Sequence, residues 1–69
     1  GRGLADAILA SLIDEAQKLG LRRVSLETGS QDVFAAARAF YIRHGFEKCP
    51  PFEGYGPDPA SVFFTRSVA

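Results

Sequence analysis

The stretch Ala37-Arg38-Ala39-Phe40-Tyr41-Ile42-Arg43-His44-Gly45-Phe46 decides how the rest of this 69-residue chain is read. Val33, Phe34, Ala37, Phe40 and Tyr41 recur at helical spacing and form one apolar stripe, flanked by Arg38 and Arg43. Gly45 is placed to end that helix, because glycine takes the left-handed conformation of a helix C-terminus without strain. Phe46 to Cys49 then reads as a short strand. Working toward the N-terminus, Gly29-Ser30-Gln31-Asp32 is a turn with candidate N-cap residues, and Arg23-Val24-Ser25-Leu26-Glu27-Thr28 alternates as a half-buried strand does.

Further upstream, Leu4, Ile8, Leu9, Leu12, Ile13, Ala16 and Leu19 predict a first helix with one buried stripe, closed by Gly20. Asp6 near its start and Lys18 near its end suit the helix dipole. On the C-terminal side, Pro50 to Ala60 holds all four prolines and reads as a loop. Ser61-Val62-Phe63-Phe64-Thr65-Arg66 is β-rich and reads as the last strand. The order is therefore helix, strand, helix, strand, loop, strand: an α/β chain in which a small mixed sheet is packed by two helices. A sheet edge is expected to stay open, and an open edge invites pairing with another chain.

Composition narrows the function. Hydrophobic residues make up 46% of the chain, which argues against intrinsic disorder. Eight basic residues balance eight acidic ones with no basic run, which argues against nucleic-acid binding. No apolar stretch is long enough to span a bilayer. With one cysteine, Cys49, and one histidine, His44, neither a disulfide framework nor a closed zinc site can form. The unpaired cysteine fits a reducing, cytoplasmic setting. A chain of this size buries only about 60% of its unfolded surface, so further stability is expected from association or from additional chain.

The opening Gly1-Arg2-Gly3-Leu4-Ala5 enters the first helix almost at once. Free N–H groups at a helix start, together with the positive end of the dipole, favour an anion such as phosphate. Small residues there let a phosphate reach the backbone. The turn meets neither the dinucleotide fingerprint nor the Walker pattern, and read alone it is a plain glycine turn before it is an anion site.

Taken together, these segments resemble the GNAT superfamily of acetyl-CoA-dependent N-acetyltransferases. Arg2-Gly3-Leu4-Ala5 is similar to the end of the Q/R-x-x-G-x-G/A signature, with Gly3 at its first glycine and Ala5 at its last small residue. The leading Gln/Arg would fall before Gly1. Leu26-Glu27-Thr28-Gly29 looks like the following strand, and residues 37–46 resemble the A-x-x-L-Y-x-x-x-G-F helix. Pro51-Phe52-Glu53-Gly54-Tyr55 and Asp58-Pro59-Ala60-Ser61-Val62-Phe63 resemble a tail of one bacterial subset. Many members carry Asn seven residues before the tyrosine, where this chain has Phe34.

The resemblance implies a partial GNAT-type fold, with residues 1–69 as the C-terminal part of one acetyltransferase domain and the N-terminal strands missing. It assigns Arg2, Gly3, Leu4, Ala5 and Asp6 to the pyrophosphate of acetyl-CoA, and Tyr41 to the general acid that protonates the departing thiolate. The acceptor would be a small-molecule or peptide amine, and the fragment alone is expected to be inactive. No base is assigned. Glu27 reads first as a solvated strand-end carboxylate, His44 as structural, Cys49 as a small buried hydrophobe, and Tyr55 and Asp58 as loop packing and turn residues. The rival reading is a non-catalytic interaction module that homodimerises through the sheet edge or a helix face. A phosphate or nucleotide binder without transfer chemistry rests on the turn alone.

Overall fold

The computed structural model describes residues 2–52, 54, 56 and 58–69, Arg2 by its backbone alone. Two helices and three strands follow the expected order: α1 (Arg2–Lys18), β1 (Arg23–Gly29), α2 (Ala35–Arg43), β2 (Glu47–Cys49) and β3 (Ser61–Ser67). The strand that comes last in the chain lies in the middle, giving the order β1-β3-β2. Both pairings are antiparallel, so the mixing lies between helices and strands and not in strand direction. β1 and β2 are the two edges.

Register assigns the faces. Leu26 and Lys48 both stand opposite Phe64, while Glu27 and Cys49 stand opposite Phe63. Because successive side chains point to opposite faces, Phe64 and Phe63 look in opposite directions. Phe64 is fully buried and clusters with Leu9, Ile13 and Ala16 of α1, with Phe46 and with Val68. Val24, Leu26, Phe40, Tyr41 and Val62 pack against that cluster. Phe63 lies edge-on against Phe52 of the proline loop, ring centroids 4.8 Å apart.

Both helices end by one device. Gly20 has φ +78° and Gly45 has φ +88°. In α1, Gly20 N donates to Gln17 O and Leu21 N to Ala16 O; in α2, Gly45 N donates to Ile42 O and Phe46 N to Tyr41 O, all at 3.0 Å. This is the paired bonding of a Schellman motif, which satisfies carbonyls that a helix end would otherwise strand. At α2 it reverses the chain and turns Phe46 into the core, where it is 2% exposed.

Three expectations change in detail. The first-helix stripe splits in two: Leu9, Ile13 and Ala16 are buried, whereas Leu4, Ile8, Leu12 and Leu19 are exposed. An apolar band that wide exceeds what one three-stranded sheet can cover. The second helix begins with a 3-10 turn, Asp32–Phe34, and Val33 in it is 80% exposed instead of joining the stripe. That turn is fixed by its neighbours: the Phe34 ring fills the space beside Gly29, where a Cβ would come within 2.3 Å of it. Arg38 Nη1 donates to Gly29 O (2.7 Å) and Gln31 O (3.0 Å), tying α2 to the end of β1. Cys49 is half-buried, lying at an edge strand.

Because Phe64 is fully buried and joins both helices to the sheet, Phe64→Ala is expected to cost about 3–5 kcal/mol. Urea denaturation of the two proteins measures it; a loss below about 1 kcal/mol would mean the core is not centred there.

Candidate functional site

The sequence placed the candidate residues at the start of α1 and the middle of α2, and the fold brings those places together. Ala5 of α1 and Tyr41 of α2 line one apolar recess of about 250 Å³, with Ile8, Leu9, Leu12 and Phe40. Tyr41 is half-buried, and its ring lies 5.6 Å from that of Phe46 and 6.2 Å from that of Phe64. It therefore belongs to the core stripe by its ring while reaching the space beside the α1 turn. Packing and a chemical role are compatible here.

The start of α1 is open. The helix begins at Arg2, so the N–H groups of residues 2–4 come before its first intrahelical bonds. A Cβ added at Gly3 would meet nothing within 4 Å. Among the described residues no packing contact requires glycine there. A helix start of this kind suits an anion. Gly1 lies outside the described residues.

Asp6 does something that sequence reasoning missed. Its Oδ1 accepts hydrogen bonds from Arg43 Nη2 at 3.0 Å and from His44 Nε2 at 2.5 Å, across from α1 to the end of α2. The His44 hydrogen bond, then the Arg43 one, hold the Asp6 carboxyl below its usual range. Both donors also rest on Phe40: the His44 ring centroid is 4.8 Å from that of Phe40, and the Arg43 guanidinium is 5.4 Å from it. A signal existed in Asp6 and His44 as motif neighbours, but linear spacing could not show that they meet.

Glu27 is exposed, and its Oε2 accepts from Ser61 Oγ at 2.5 Å. It sits on the Phe63 side of the sheet, away from Tyr41, so the two do not share a face. Beside it, Ser25 and Thr65 hydroxyls are 2.9 Å apart. Asp58 performs the turn role expected of it: its Oδ1 accepts from Ala60 N at 2.9 Å and its carbonyl from Ser61 N at 3.0 Å. Tyr55 lies outside the described residues. No cluster of metal-ligating side chains occurs among the described residues, and no helix among them is long and apolar enough to cross a membrane.

Comparison with known proteins identifies the family. The sequence profile of the acetyltransferase (GNAT) family matches residues 1–46, which hold both the α1 turn and the Tyr41 helix. The chain belongs to the GNAT acetyltransferase family. It is 48% identical over 67 residues to the uncharacterized N-acetyltransferase YsnE of Bacillus subtilis, covering 97% of this chain and 44% of that protein. It is 45% identical over 67 residues to the uncharacterized N-acetyltransferase YedL of Escherichia coli, covering 97% and 42%. A solved structure from Klebsiella pneumoniae, described as an acyl-CoA N-acyltransferase, superposes with a TM-score of 0.87 at 35% identity, over 100% of this chain and 46% of that one. This GNAT chain thus spans less than half the length of the relatives it matches.

The lowered Asp6 value has a consequence for stability. A carboxylate whose folded pKa is depressed adds stability that is fully present above its unfolded pKa, about 3.9 for Asp, and is lost as pH falls through the folded value. Urea midpoints should therefore fall more steeply for the native chain than for Asp6→Asn on going from pH 5 toward about pH 2. Parallel curves would show that Asp6 is not held by its partners in solution.

Proposed function

We propose that the protein is an N-acetyltransferase that takes the acetyl group of acetyl-CoA and delivers it directly to an amine. The observation that carries this reading is the shared recess of Ala5 and Tyr41, joined to membership of the acetyltransferase family. Similarity to a protein described as an acyl-CoA N-acyltransferase supports an acyl-CoA donor. When bound, acetyl-CoA supplies an activated acetyl thioester whose sulfur leaves as a thiolate.

The roles of this chain's own residues follow from their placement. The turn of Arg2, Gly3, Leu4, Ala5 and Asp6 is the proposed seat of the pyrophosphate, where the free N–H groups of residues 2–4 and the helix dipole favour negative charge. Gly3 keeps that backbone approachable because it carries no Cβ. Tyr41 holds a proton on Oη and is the proposed general acid. The recess is lined by apolar side chains, so Tyr41 supplies its polar group. No nucleophile on the protein is required for direct transfer, so Cys49 has no part in it.

Two variants of the full-length protein test this reading, with acetyl-CoA as donor, spermidine, tryptamine and lysine as amines, and thiol release followed with Ellman's reagent. Tyr41→Phe is expected to lower kcat by about 10²-fold or more while leaving CoA affinity within about twofold. Gly3→Val is expected to do the reverse, weakening CoA binding measured by calorimetry at least tenfold, since a branched side chain covers the amides (about 1.4 kcal/mol per factor of ten). Undiminished turnover in Tyr41→Phe removes the phenol from the acid role. Unchanged CoA affinity in Gly3→Val removes the turn from the cofactor site.

A further inference from the structure

Among the described residues, the side-chain hydrogen bonds joining α1 to α2 both end on one atom, Asp6 Oδ1, given by Arg43 Nη2 and His44 Nε2. The position of this contact matters more than its strength. Asp6 follows Ala5, which lines the recess, and His44 lies three residues beyond Tyr41, which lines it from the other side. Between them stands Phe40. Its ring carries His44 on one side at 4.8 Å and meets Tyr41 edge-on at 5.5 Å with an interplanar angle of 72°. A continuous series of contacts thus runs from the carboxylate of Asp6 through His44 and Phe40 to the ring of Tyr41. Arg43 and His44 line a separate groove with Ala10, Ile13, Asp14 and Gln17, while the apolar walls of the recess give no directional restraint.

We infer that Asp6, with His44 and Arg43 as its donors, is a positioning residue that sets the distance between the phenol of Tyr41 and the start of α1. The inference rests on the function proposed above. It gives the Asp6 side chain a task distinct from its backbone: the amide belongs to the α1 turn, whereas the carboxylate clamps α2. A proton donor misplaced by about 1 Å can lose on the order of 10²-fold in rate. Loss of the clamp lets α2 shift against α1 and moves the phenol while leaving the amides of the turn where they are. The effect therefore falls on kcat and spares cofactor affinity.

A double-mutant cycle in the full-length protein separates positioning from general loss of structure, using the same donor, amines and thiol assay. Asp6→Asn and His44→Ala should each lower kcat roughly tenfold with CoA affinity within about twofold. His44→Gln, which keeps an N–H donor, should recover most of the loss. In a Tyr41→Phe background, Asp6→Asn should cost almost nothing more, because a clamp that acts through the phenol has nothing left to position. An equal cost in both backgrounds overturns the inference, since Asp6 would then act independently of Tyr41. So does tighter CoA binding in Asp6→Asn, which would mean that the freed Arg43 and His44 meet the phosphates themselves. If Tyr41→Phe alone leaves turnover intact, the proposed acid role falls and the clamp with it, a result distinct from the other two. Thermal melting of each variant confirms that it is folded, and the histidine variants carry the test should Asp6→Asn fail to fold.

Discussion

The pairing of β3 between β1 and β2 is the constraint on which everything else depends. Among the described residues each edge strand pairs with β3 alone, so neither belongs to a sheet until the last strand arrives. The pairing is non-local, joining Arg23 to Ser67 and Gly29 to Ser61. It is rewarded on one face by Phe64, which both helices cover, and on the other by Phe63 against Phe52. Val68 N donates to Arg22 O at 2.9 Å and carries the ladder past the end of the strand. Closing so long a loop costs entropy before any contact forms, and a short chain must recover that cost in a few large side chains.

The candidate site is a by-product of how the helices are stopped and tethered around that sheet. The Gly45 turn buries Phe46, and Phe46 in turn supports the ring of Tyr41. Arg38 fixes α2 to Gly29 at the end of β1 and to Gln31 in the turn that follows, through their backbone carbonyls. Asp6 fixes the other end to α1. With both ends held, the middle of α2 presents Tyr41 to the recess beside Ala5. The sheet face that carries Glu27, Ser61, Ser25 and Thr65 lies on the far side and takes no part in that recess.

Much of this was legible because the deciding features are local. The glycines at positions 20 and 45 announced the helix ends, and each adopts the positive φ that its place requires. The alternation of Val24 and Leu26 announced β1, and the ordered motifs announced the family. What stayed hidden is long-range. Strand order cannot be read from a list of strands, and β3 lies centrally only because Phe64 has an apolar partner on both helices. The apolar band of α1 held two stripes, and nothing in its spacing separated Leu9 and Ile13, which meet the sheet, from Ile8 and Leu12, which do not. Asp6 looked like a dipole partner because its true partners, Arg43 and His44, lie on another helix.

In the function proposed here, the start of α1 and Tyr41 form one site for acetyl-CoA. A titration of the isotope-labelled full-length protein with CoA, followed by backbone amide NMR, tests it most directly. The predicted result is a saturable set of shifts concentrated at residues 2–6 and around Tyr41, with the Glu27 face of the sheet unmoved. Shifts confined to other surfaces, or none up to millimolar CoA, would contradict it.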